Sequence, residues 1–113
     1  MSGKQFWGPA MWRTIHSLAI AYTPSQADQF KKFIGTLPAL LPCEQCRIHL
    51  KQNLKILKVD DYLTSNHNLF LWSYLLHDMV NKQLGTISPP YESTKLFYIK
   101  SMGPECKACK LNM

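Results

Sequence analysis

Apolar residues recur every three or four positions along most of this chain, a spacing that predicts helices rather than strands. Met11, Trp12, Ile15, Leu18, Ala19 and Tyr22 fall on one face of a first helix. Pro9 suits its first turn, where a missing N–H costs no hydrogen bond, and Pro24 stops it. Ser25 is placed to cap a second helix, with Asp28 in its first turn and Phe30, Phe33, Ile34 and Leu37 on its apolar face. Pro38 and Pro42 bracket a short connector, so Cys43 starts a third helix that ends near Leu54. A fourth helix, capped near Ser65 or Asn66, carries Leu69, Trp72, Leu76, Val80 and Leu84 and stops at Gly85. Residues 91–101 read as a short fifth helix, and Gly103-Pro104 breaks the pattern after it. No alternating run long enough for a useful strand is present. The expected fold class is therefore all-α, a four-helix bundle with a short fifth helix.

Composition narrows this picture. At 113 residues the chain fits one domain, expected over residues 1–101, with residues 102–113 as a polar C-terminal tail. The apolar segment 69–76 is far short of the ~18 residues that span a bilayer. The first eight residues hold one Lys and no apolar stretch of the secretory kind. A soluble, cytoplasmic protein is the expectation, with no membrane partner. The net charge of +6 comes from 13 basic and 7 acidic residues, and the basic ones are scattered rather than run together. That pattern favours a solvated basic surface over nucleic-acid binding and leaves room for an acidic ligand.

The four cysteines form two CxxC pairs, Cys43/Cys46 and Cys106/Cys109. Zinc, a structural disulfide and redox exchange all use such pairs. Four-thiolate zinc sites commonly set their knuckles roughly 15–20 residues apart, whereas 59 residues separate Cys46 from Cys106. A non-catalytic zinc-binding helical adaptor remains the alternative reading, although no metal site is expected. Redox use draws on position: Cys43 follows Pro42 at a helix N-terminus, where unpaired N–H groups stabilise a thiolate. Electrons collected there need an acceptor, and a helical protein must bind one. The second pair, in the tail, suits a mobile redox shuttle between that centre and outside thiols.

Two helix faces could hold a planar cofactor. Trp12 and His16 lie four residues apart, and Ser73, His77 and Asn81 form a row at the same interval, with Lys82 beside it. Aromatic rings could stack on a heterocycle while the imidazoles and amide hydrogen-bond to it. Lys82, Lys95 or Lys100 could meet phosphates. Spacing does not identify the cofactor.

Three segments carry a resemblance that does. Residues 7–16 (WGPAMWRTIH) resemble the WGxxxWxxxH opening of the flavin-linked sulfhydryl oxidases, the Erv/ALR family. Pro42-Cys43-Glu44-Gln45-Cys46 is similar to that family's redox-active PCxxC, and residues 77–85 (HDMVNKQLG) to its HNxVNxxLG segment. The motifs come in the family's order, and the similarity covers about residues 6–100. The resemblance implies FAD at one end of the bundle, oxidation of dithiols to disulfides, and reduction of O2 to hydrogen peroxide. It implies that Cys43 is the interchange thiol and that Cys46 sits over the isoalloxazine as the charge-transfer thiolate. It assigns FAD contacts to Trp12, His16, Tyr22, His77, Val80, Asn81 and Lys82, with Trp7, Gly8 and Arg13 from the opening motif and Tyr98 in place of a flavin-side Trp. It further implies a protein dithiol or thioredoxin-like substrate and a homodimer in which the tail of one subunit serves the other. The compact chain resembles versions from large cytoplasmic DNA viruses, which implies the host cytoplasm or the virion as its location.

The chain departs from the family pattern at three places. Asp78 stands where Asn is usual, which changes a hydrogen bond expected at the flavin edge and could disfavour an anionic reduced flavin. Tyr91 stands about where the first Cys of a common C-x16-C structural disulfide belongs, so packing or flavin contacts must hold the fifth helix. The shuttle CxxC lies at the C-terminal end, whereas some members carry it at the N-terminal end.

Overall fold

Trp12, Ile15, Ala19 and Ile20 are buried along one side of the first helix, α1 (Gly3–Ile20). They pack against Leu69, Phe70, Trp72 and Leu76 of α4 (Asn66–Leu84), the main helix pair of the bundle. The computed structural model describes residues 3–110; residues 1–2 of the expected domain and 111–113 of the expected tail lie outside the described residues. Between these helices come α2 (Ala27–Leu40) and α3 (Glu44–Ile56), packed on each other, and α5 (Tyr91–Ser101) lies against α1. The expected all-α, five-helix architecture is therefore observed. Among the described residues no helix is long and apolar enough to cross a membrane.

Three boundaries differ from the periodicity reading. The α1 helix starts at Gly3 and runs through Pro9, because Trp7 and Met11 pack on the core on either side of the proline. At the next turn Ser25 is not a helix cap. Pro24–Gln26 form a 3₁₀ turn in which Gln26 Oε1 accepts the Thr23 N–H at 3.0 Å, and α2 begins at Ala27. Pro38 lies inside α2 rather than in a connector. Phe30, Ile34 and Pro38 are its buried residues, so the proline continues the stripe that the helix presents to the core.

Local chemistry places the remaining ends. Cys43 is the N-cap of α3, its Sγ accepting the Cys46 N–H at 3.2 Å. Ser65 caps α4 by accepting the Asn68 N–H at 3.1 Å, and Gly85 closes it in the left-handed region at φ 74°. Leu84, expected on the buried face of α4, is 57% exposed. An amide pair ties α3 to α4: Asn53 Nδ2 donates to Gln83 Oε1 at 3.3 Å, and Gln83 Nε2 returns a bond to Asn53 Oδ1 at 3.0 Å. Aromatic packing holds α5 where the related disulfide is missing. Tyr91 meets Phe70 and Tyr74, and Tyr98 meets His16 and Phe70, all with centroids between 5.2 and 6.2 Å.

Residues 102–110, the described part of the tail, fold back onto the body. Lys107–Cys109 form a 3₁₀ turn, Cys106 and Cys109 are bonded, and Cys109 is only 2% exposed against the end of α1. Asn66 Nδ2 clasps this turn by donating to both Ile20 O at 2.8 Å and Ala108 O at 2.6 Å. Within the described residues, the tail expected to be mobile makes contact with the body through buried Cys109 and through Ala108.

The α1–α4 interface also buries two imidazoles. His16 Nδ1 lies 2.9 Å from Ser73 Oγ, and His16 Nε2 lies 3.1 Å from His77 Nδ1. Burial, the neighbouring His77 and Arg13 lower the His16 pKa to about 3. Burial lowers that of His77 to about 4, partly offset by Asp78. The folded state therefore holds fewer protons than the unfolded chain below pH 6.5. Stability should be level above that pH and fall as the pH drops from 6.5 toward 4, by at most about 1.4 kcal/mol per pH unit per histidine. Asp78, held low chiefly by the Ser88 hydroxyl, adds to the loss only near and below its ordinary 3.8. Urea midpoints at pH 7.5, 6 and 5 test this: they should decline, and the decline should be shallower in His77→Gln. A midpoint constant across that range contradicts it. Separately, Gly85→Ala should cost about 1 kcal/mol in urea unfolding, since a Cβ there meets no atom and only backbone strain acts.

Candidate active site

A cavity of about 630 Å³ opens where the N-terminal half of α1, the first turns of α3 and the C-terminal half of α4 converge. That volume is within the range of cofactor pockets. Its walls take Trp7, Gly8, Trp12 and Arg13 from α1, Cys46 and Leu50 from α3, His77, Val80 and Asn81 from α4, and Tyr98 from α5. Inside it the Trp12 and His77 rings are stacked, with centroids 4.2 Å apart and an interplanar angle of 9°. A second cavity of about 340 Å³ adjoins it and shares His77, Asn81 and Tyr98; His16, Tyr74, Ser88 and Phe97 are among the rest of its wall.

The disulfide Cys43–Cys46 borders the larger cavity through one sulfur-bearing residue. Cys46 is in the lining, while half-buried Cys43 is not and sits at the cap position with partial access from outside. Both belong to the start of α3, where free N–H groups and the helix dipole favour negative charge on sulfur once the bond is reduced. Arg47 fixes the turn before it, its Nη1 donating to Leu41 O at 2.6 Å.

Positive charge in the cavity comes from α1. Arg13 lies over the Phe97 and Tyr98 rings at 5.3 and 5.6 Å, and Lys4 is in the same lining. Lys82 is instead paired with Asp78 at 3.0 Å, and Lys95 lies 5.9 Å from the Tyr91 ring centroid. Asp78 lines neither cavity but bonds to a residue that does: its Oδ1 accepts the Ser88 hydroxyl at 2.7 Å, and Asn81 Nδ2 donates to that same hydroxyl oxygen at 2.9 Å. Ser88 so orients the Asn81 amide, a role that no periodic signal marks.

Most of the residues singled out by sequence are brought together. Trp7, Gly8, Trp12, Arg13, Cys46, His77, Val80, Asn81 and Tyr98 share the larger cavity, and His16 lines the smaller one. Tyr22, Asp78 and Lys82 line neither. Tyr22 lies beyond the far end of α1, buried against Phe30 with its hydroxyl donating to Leu63 O at 2.8 Å. Sequence reasoning passed over Gln45 and Leu50; Leu50 follows Cys46 at helical spacing, whereas Gln45, two residues after Cys43, does not.

The two CxxC pairs are not assembled into one site. Each is closed on itself, with Cα–Cα separations of 5.1 and 5.4 Å. Among the described residues no group of three or more His, Cys, Asp or Glu converges as metal ligands would.

The family model described as Erv1 / Alr family matches residues 9–101. A protein of Invertebrate iridescent virus 3, whose name describes it as a FAD-linked sulfhydryl oxidase, is 33% identical over 84 residues, 71% of this chain and 57% of the relative. The FAD-linked sulfhydryl oxidase of an African swine fever virus isolate is 30% identical over 100 residues, covering 85% of this chain and 82% of the relative. The Arabidopsis thaliana FAD-linked sulfhydryl oxidase is 29% identical over 113 residues, covering 96% and 58%. The chain thus spans little more than half the length of some of these relatives. No solved structure matches significantly. With most of its length matched, and with the first CxxC pair and most of both cavity walls inside the matched segment, the chain belongs to the Erv1/Alr family.

Proposed function

We propose that this protein is an FAD-dependent thiol oxidase that makes disulfide bonds in protein dithiols and passes the electrons to O2, giving hydrogen peroxide. One observation carries the reading: a disulfide at a helix N-terminus faces, through Cys46, a cavity walled by the stacked Trp12 and His77 rings and by Arg13. The donor set fits the cofactor. Apolar and aromatic walls suit a planar heterocycle, His77 and Asn81 offer polar contacts, and Arg13 with Lys4 offers charge for a pyrophosphate. FAD, when bound, supplies a two-electron acceptor beside Cys46 that hands the pair on to O2.

The chain's own chemistry is thiol–disulfide exchange. A substrate thiolate attacks Cys43 Sγ; the Cys43–Cys46 bond breaks and Cys46 leaves as a thiolate, held by the N-terminal N–H groups of α3. The substrate's second thiolate then attacks its own sulfur in the mixed disulfide and releases Cys43. The substrate dithiol is oxidised by two electrons, the cysteine pair is reduced by two, and two protons are released to solvent or transferred to the protein. Partial access to Cys43 and the cavity position of Cys46 support this division of labour.

Cys106 and Cys109 act as a relay that accepts electrons from the protein substrate and gives them to Cys43–Cys46. In the docked arrangement Cys109 is buried, so the Asn66 clasp must open before exchange. The working assembly is a homodimer in which the tail of one subunit reaches the partner's Cys43. The similarity to proteins of large DNA viruses supports a role in disulfide formation within a host cytoplasm or a virion.

Oxygen uptake with dithiothreitol, compared with a reduced protein substrate, tests the reading. Cys43→Ser and Cys46→Ser should each lose at least a hundredfold in turnover with either substrate. The double change Cys106→Ser with Cys109→Ser should keep dithiothreitol turnover within about twofold and slow the protein substrate about tenfold or more. Retained turnover in either of the first pair contradicts the oxidase mechanism, and equal rates on both substrates in the tail variant contradict the relay.

A further inference from the structure

Ser73 lies fully buried in α4, outside both cavity walls, yet a line of hydrogen bonds joins it to His77 inside them. The direction of that line follows from the first contact. Ser73 Oγ lies 2.7 Å from Phe70 O. Two oxygens that close need a proton between them, and a carbonyl has none to give, so the hydroxyl proton points at Phe70 O. Toward His16 Nδ1, at 2.9 Å, the serine oxygen can then only accept, and the proton must sit on His16 Nδ1.

A neutral imidazole carries one N–H. With Nδ1 protonated, His16 Nε2 is a bare lone pair, and its neighbour at 3.1 Å, His77 Nδ1, must donate to it. The proton of a neutral His77 is thereby committed to Nδ1, and its Nε2 is left as an acceptor on a ring that lines both cavities. The burial that keeps both rings neutral near pH 7 sustains the arrangement. The stack on Trp12 holds the ring plane in place.

We infer that Ser73 is a positioning residue that, through His16, fixes the tautomer of His77 so that its Nε2 accepts from a hydroxyl or N–H donor of FAD. An opposite tautomer would present a donor and select for a phosphate or carbonyl oxygen instead. The identity of that donor's owner rests on the FAD reading above, whereas the tautomer does not depend on any ligand.

Two measurements keep those failures apart. Nitrogen-15 spectra of histidine-labelled protein at pH 7 should show His16 and His77 both neutral and both protonated at Nδ1. A His77 protonated at Nε2, or an imidazolium, overturns the inference whether or not FAD binds. Fluorescence titration with FAD supplies the second arm. Ser73→Ala should shift His77 toward the Nε2–H form and weaken FAD about five- to tenfold, the scale of one hydrogen bond. Ser73→Thr, which keeps the hydroxyl, should restore the Nδ1–H form and most of the affinity. Unchanged His77 nitrogen shifts in Ser73→Ala overturn the relay, and unchanged FAD affinity alongside a shifted tautomer overturns the acceptor role.

Discussion

The α1–α4 contact is the constraint on which the rest of this small bundle depends. It is apolar at one level, where Ile15, Ala19, Leu69 and Trp72 are buried, and polar at the next, where His16 meets Ser73 and His77. Buried imidazoles are tolerated only because each has partners and stays neutral. Those partners fix how the helices sit, since a small slide would strand His16 without a hydrogen bond. The cavity is a consequence. Where Trp12 and His77 stack, the two helices present a flat wall, and α3, tied by the Asn53–Gln83 amides, brings Cys46 up to it.

The cysteine pairs are treated oppositely by the fold. Cys43–Cys46 occupies a helix start, bordering a cavity on one side and half-open on the other. Cys106–Cys109 closes a 3₁₀ turn that docks against the opposite reach of α1 under the Asn66 amide. Burial favours the docked turn, while the one hydrogen bond from Asn66 to Ala108 O is a modest hold, worth about 1 kcal/mol. A docked disulfide of that kind can be both a stabilising clasp and a releasable element, and the relay we propose requires its release.

Much of this was legible in the sequence. Ser65 and Gly85 bounded α4 because capping chemistry is local, and the start of α3 at Cys43 followed from Pro42. Apart from Tyr98 on α5, the site residues that share a cavity came from three motifs, each confined to one helix or helix start. What was missed depends on packing between elements. Pro9 and Pro38 look like boundaries until the helices through them are seen to bury neighbours on the same stripe. Tyr22 falls beyond the helix that carries Trp12 and His16, so helical spacing no longer places it on their face. Lys82 and Asp78, one turn apart, pair with each other, and Arg13 supplies the charge in the cavity instead. Ser88 could not be found by periodicity, because its contacts with Asp78 and Asn81 arise only when the loop folds back. A tail carrying CxxC gave no sign that Asn66 would clasp it.

The account stands on FAD occupying the cavity beside Cys46, and the visible absorption spectrum of the purified protein tests that most directly. It predicts one flavin per chain, bleached without oxygen by a dithiol and restored by air, with the bleaching lost in Cys46→Ser. A colourless protein that takes up no FAD when it is offered, or a bound flavin that a dithiol reduces equally well without Cys46, would contradict it.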